Sequence, residues 1–105
     1  MEEANLNYIN ELSGGNLEFK NKIIAIIKVE LPDEINKYEY YKTQLDYSQM
    51  FQSVHKLKHK ISILGLEKSY YIAEEFESNL KNSSTELQSD FELILKKMQD
   101  FVALL

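Results

Sequence analysis

The stretch SVHKLKHKISILGL, residues 53–66, holds both histidines of the chain and three of its lysines. Its apolar residues decide how it folds. Met50, just upstream, and then Val54, Leu57, Ile61 and Leu64 recur in steps of four and three. That spacing lines one face of an α-helix, in which each residue turns by about 100°. Asp46 opens the helix as an N-cap, with Gln49 completing a start that resembles a capping box, and Gly65 ends it. With the apolar stripe centred between Leu57 and Ile61, His55 points roughly 140° away from it, into solvent. Lys58 and Ser62 follow on the same side as His55, one and two turns later. His59 lies slightly further round, and Phe51 sits at the core boundary one turn before.

The same period runs outward in both directions, and strand-like alternation is sustained nowhere. A short helix over roughly 4–12 stops at Ser13-Gly14-Gly15. A second begins after Asn16, with Phe19, Ile23, Ile26, Ile27 and Leu31 as its apolar stripe. Proline fits the first turn of a helix but not its interior, so Pro32 predicts the start of a third. Ile35, Tyr38, Tyr41 and Leu45 would form the stripe of that third helix. After the histidine helix, a segment at about 67–81 buries Tyr70, Ala73, Phe76 and Leu80. Ser83 with Glu86 predicts a capping box for the last helix, in which Leu87, Phe91, Ile94, Met98, Phe101 and Leu105 keep a bundle-seam spacing. Short loops set neighbouring helices antiparallel. The expected class is all-α: an antiparallel four-helix bundle preceded by one or two short helices, in a single domain over residues 1–105.

Composition narrows the function. Twelve Lys+Arg against seventeen Asp+Glu give a net charge of −5, which argues against general nucleic-acid binding. There is no cysteine, so no disulfide framework and no thiolate chemistry. The longest clean apolar run, residues 23–27, is far too short to cross a bilayer. The N-terminal residues are acidic and polar, unlike a signal peptide, so the expected location is the cytoplasm. No Gly-rich phosphate loop or acidic metal cluster is present in the sequence.

Taken alone, the histidine helix has more than one reading. An exposed helical histidine usually does nothing, and the lysines can be a solvated face. Histidines four apart can bind zinc or copper, but no third ligand motif accompanies them. The order of residues adds another reading. His55-Lys56-Leu57-Lys58-His59, then Ile61 to Ile63, Leu64-Gly65 and Phe76-Glu77, resembles the signature of the histidine-containing phosphotransfer (HPt) domain family. Upstream, ELSGGNLEFKNKIIAIIKVELPDEI resembles that family's approach to its bundle: a short helix, a glycine break, and an apolar helix followed by Leu-Pro. The resemblance covers nearly the whole chain.

The resemblance implies a phosphocarrier without kinase activity of its own. In it His55 takes the phosphoryl group on Nε2, Lys58 stabilises that group, and Glu77 orients the imidazole through the other nitrogen. An exposed helix glutamate with no such role is the alternative for Glu77. The implied partner is the receiver domain of a response regulator or a hybrid histidine kinase, and the implied state is a monomer. No cofactor is expected on this chain, because the receiver brings the Mg²⁺. Neither nucleic acid nor membrane is an expected partner. The receiver would dock on Phe51, Lys56, His59, Ser62 and Ile63, with Leu6 and Ile9 of the first helix beside them and Lys60 adding charge. Ile63 has an alternative role as cover for the first helix. One position departs from the family: His59 stands where the family has glycine. A domain that docks a receiver or kinase without taking phosphate is the competing function.

Overall fold

The computed structural model describes residues 2–105, and among these there is no strand. Five helices follow in order: α1 (Asn7–Ser13), α2 (Leu17–Thr43), α3 (Tyr47–Ile63), α4 (Glu67–Lys81) and α5 (Gln88–Val102). None is long and apolar enough to cross a membrane. Asn16 and Asp46 cap α2 and α3 through their side chains, accepting from the Phe19 and Gln49 N–H groups at 3.0 and 3.1 Å. Gly14 closes α1 in the left-handed conformation, at φ +56°.

Helix α3 packs against α2 on one side and α4 on the other, α5 closes onto α2 and α4, and α1 lies on α2. The stripe Met50, Val54, Leu57, Ile61 and Leu64 is fully buried, as its spacing predicts. At the centre the Phe91 ring meets Tyr38 edge-on at 5.3 Å and Phe76 at 5.2 Å. These aromatic contacts add to the burial of the rings themselves. The Tyr38 hydroxyl donates to Glu92 Oε2 at 3.0 Å, and burial together with the Glu92 charge pushes its pKa far above the ordinary tyrosine value.

The main departure from expectation is at Pro32. No new helix starts there; α2 runs unbroken through the proline. A proline inside a helix loses one backbone hydrogen bond and crowds the preceding turn, a cost of about 3 kcal/mol. Contacts of the flanking turns with α3 and the core hold the helix together across it. The Lys60 ammonium contacts Glu30 Oε1 at 2.9 Å and Glu34 Oε2 at 3.0 Å, so one cation grips the turns on both sides of Pro32. Leu31 and Ile35, also flanking the proline, are buried in the core. Burial works against the Lys60 charge, but the two carboxylates outweigh it and hold its pKa above the usual lysine range. Lys60 is therefore buried, not part of a docking face as the resemblance suggested.

Other corrections follow from which side of a helix faces the core. Phe19, Ile26 and Leu45 are exposed, while Ile27, Leu31, Ile35 and Tyr38 carry the packing of α2. The Ser83–Glu86 capping box does not form. Ser83 and Leu87 both have positive φ, α5 starts at Gln88, and Leu87 precedes it without a side-chain cap. In α5 itself Leu95 and Val102 join Phe91, Ile94 and Met98 in the core.

The N-terminal segment is strapped across the far end of the helices. The Asn5 N–H donates to the Leu64 carbonyl at 2.9 Å. Gly65 turns there with φ +76°, and a Cβ on it would lie 2.6 Å from Asn5 Oδ1. Further back, the Glu2 carboxylate accepts from the Lys68 and Ser69 N–H groups at 2.8 and 2.9 Å, at the start of α4. Lys97 of α5 donates to the Glu2 carbonyl.

Three stability measurements test this account, all by urea unfolding followed by circular dichroism. Pro32→Ala raises the unfolding free energy by about 1–3 kcal/mol, the ordinary difference between the two residues in a helix interior. Lys60→Ala lowers it by about 2–4 kcal/mol, because two carboxylates one turn apart lose their shared cation. Gly65→Ala lowers it by about 2 kcal/mol or more, through left-handed strain and the clash with Asn5.

Candidate functional site

His55 projects from the middle of α3 with half of its side chain exposed. Its ring is held on three sides. The Phe51 ring lies nearly parallel to it one turn earlier, with centroids 6.4 Å apart and planes at 16°. The His59 ring meets it edge-to-face one turn later, at 5.4 Å. Across the groove, Nδ1 lies 2.7 Å from Glu77 Oε2 on α4. A carboxylate accepts but cannot donate, so this contact places the ring proton on Nδ1 and leaves the Nε2 lone pair free. Nε2 lies on the opposite edge of the ring, away from α4.

Glu77 is itself buried, and its other oxygen accepts from the Lys58 ammonium at 3.0 Å. One carboxylate thus bridges the imidazole and a lysine. Lys58 is not the exposed flanking residue that the helix geometry predicted. Only 8% of its side chain is accessible, Glu74 Oε2 is 3.8 Å from its nitrogen, and the Tyr70 ring lies 5.3 Å below. Burial pulls its pKa down, but the Glu77 hydrogen bond and the charges of Glu77, Tyr70 and Glu74 outweigh this and raise it above the ordinary lysine value.

Helix α4 supplies this support from a single face. Tyr70, Glu74, Glu77 and Lys81 recur at steps of four, three and four, and they meet α3 in antiparallel order. Lys81 lies over the Phe51 ring at 5.0 Å, Glu77 reaches His55 and Lys58, and Glu74 and Tyr70 reach Lys58. Glu74 and Lys81 did not stand out in the sequence, and Tyr70 did so only as an expected core residue of its helix. The signal was present in their shared face, but it names partners only once α3 and α4 are set antiparallel.

The remaining candidates divide by exposure. Lys56, His59 and Ser62 are exposed, Phe51 is half-buried, and Ile63 is half-buried and packed against the core. Ile9 is fully buried and Leu6 packs on the core, so the exposed apolar residues of α1 are Tyr8 and Leu12 instead. Ser62 opens onto a cleft of about 530 Å³ that Tyr8, Glu11, Tyr70 and Tyr71 also line. Among the described residues no group of three or more His, Cys, Asp or Glu side chains converges to hold a metal ion. No family model, curated protein or solved structure matches the chain.

The bridge makes an alkaline prediction. Lys58 has a raised pKa in the folded state, so its contribution to stability is complete below the ordinary lysine value and is lost as pH rises through the raised one. Lys42 and Lys60 are raised as well, and so is Tyr38, which acts in the same direction. The urea midpoint should therefore fall above about pH 10. In Lys58→Met that fall is shallower than in the wild type, measured as the midpoint against pH from 7 to 11.

Proposed function

We propose that this chain is a phosphocarrier of the HPt type, with His55 as the phosphoryl acceptor in a multistep two-component relay. The observation that carries the reading is the bond from His55 Nδ1 to Glu77 Oε2 at 2.7 Å on a half-exposed ring. In the wider proposal α2 to α5 are the antiparallel four-helix bundle and α1 is its lead-in helix. The protein works as a cytoplasmic monomer.

The bond suits the reaction. An aspartyl phosphate on a receiver is a mixed anhydride. The Nε2 lone pair attacks phosphorus, the N–P bond forms, and the P–O bond breaks with its electron pair leaving as the receiver's carboxylate. The ring keeps its Nδ1 proton and becomes a cation. Glu77 faces that N–H and stabilises the positive charge, so no proton has to be lost in transfer. Reversal returns the electron pair to Nε2. Glu77 is a positioning residue here, and Lys58 supports it from behind. The receiver contributes the carboxylate and the Mg²⁺ that binds the transferring oxygens. His59 presents a basic group one turn from His55, and Lys56 adds another about 100° round the helix; both complement an acidic pocket.

The test is transfer from a receiver domain charged with acetyl phosphate, or from an autophosphorylated histidine kinase. The label on this chain should be acid-labile and base-stable. It disappears in His55→Gln and persists in His59→Gln. Glu77→Ala still accepts label, but about tenfold more slowly, from loss of one orienting charge-assisted hydrogen bond. A wild-type protein that binds the receiver yet takes no label is a docking module, which is the competing reading.

A further inference from the structure

We infer that His59, not Lys58, is the residue of this chain that binds the phosphoryl group carried on His55, and that it sets the lifetime of the phosphorylated form. This inference rests on the phosphocarrier reading and deepens it. The argument begins with charge. A phosphoryl group on Nε2 brings close to two negative charges and three strong acceptor oxygens to one edge of the ring. Water can donate to them on a half-exposed ring, so a lifetime set by the protein needs a donor of its own beside that edge.

Lys58 is the nearest cation by position on the helix, but it is already committed. Its nitrogen is buried, bonded to Glu77 Oε1 at 3.0 Å, 3.8 Å from Glu74 and seated over Tyr70. Swinging it out to a phosphoryl group would strip Glu77 of its cation, and Glu77 is the carboxylate that holds His55. Breaking a buried ion pair in this way leaves an uncompensated charge and is strongly unfavourable. Lys56 is the next residue but one turn-angle round the helix, about 100° from His55. Lys81 is engaged over the Phe51 ring at 5.0 Å. Phe51 itself offers the ring a parallel apolar face and no donor.

His59 meets the requirement. Helical side chains lean toward the N-terminus, so its ring is carried back over the turn that bears His55. The rings stand at 85° to one another with centroids 5.4 Å apart. His59 is exposed, and among the described residues no protein group is hydrogen-bonded to its ring nitrogens. A neutral imidazole still has one N–H to give, and a protonated one has two. With one edge of His55 taken by Glu77 and one face by Phe51, the His59 ring borders the open side on which the phosphoryl group is built. This also gives a reason for a histidine where the resembled family has glycine.

Phosphorylation with phosphoramidate, a small-molecule donor, tests the contact without any partner. Phosphorus NMR identifies the Nε2-phosphohistidine and follows its hydrolysis at pH 7.5. In the wild type label forms at residue 55. In His59→Leu label forms at the same site but decays about tenfold faster or more, the worth of one hydrogen bond to a charged group. His59→Gln, which keeps an N–H donor, recovers most of the lifetime. Equal lifetimes in wild type and His59→Leu overturn the role of His59 and leave the phosphocarrier reading intact. No phosphohistidine at residue 55 in a folded wild type removes both.

Discussion

The site depends on one carboxylate having two partners. Glu77 is buried, and a buried carboxylate alone would be costly; Lys58 makes it tolerable, and His55 takes the oxygen that Lys58 leaves. The effect on the imidazole is conformational as well as electrostatic. The ring cannot turn over without giving up the bond on Nδ1, so its Nε2 edge stays turned away from Glu77. None of this needs a pocket, because the ring is presented on the outside of a helix that is fastened from within.

That fastening is two-sided. Helix α3 carries two lysines on opposite flanks, each buried and each held by a pair of acidic residues on a neighbouring helix. Lys58 faces Glu77 and Glu74 on α4, and Lys60 faces Glu30 and Glu34 on α2. Between them lies the apolar stripe. Hydrophobic packing alone tolerates some rotation of a helix about its axis, but a charge pair on each flank does not. Buried ion pairs add little net stability compared with apolar replacements, and their best-attested use is to fix register. Here the register they fix is the one that turns His55 outward.

Much of this was legible in the sequence, and the rest had specific reasons not to be. The stripe from Met50 to Leu64 sits where its period puts it, and Asn16, Asp46 and Gly14 cap their helices as their residue types suggest. Glu77 was identified through its place in a familiar pattern, and only coordinates reveal that it reaches both His55 and Lys58. Pro32 misled because a local rule was overruled by tertiary packing: Leu31 and Ile35 beside it enter the core, and Lys60, 28 positions later, bonds Glu30 and Glu34 on either side. Lys58 and Lys60 read as solvated because charge in a sequence carries no sign of burial; their partners on α2 and α4 decide it. Ser83 and Glu86 matched a capping pattern in spacing, but Ser83 adopts a left-handed conformation that removes it from the cap position.

The strap formed by the first residues bears on how the chain reaches this structure. Its partners are Leu64, the N–H groups of Lys68 and Ser69, and Lys97. The segment ahead of α1 therefore completes its bonding only after α5 has been made. During synthesis the first helix emerges long before α4 and α5 exist to receive the segment ahead of it. Local contacts form early and distant ones late, because closing a long loop costs entropy before it returns any. The strap thus closes late, onto the start of α4, the helix whose Glu77 holds the His55 ring.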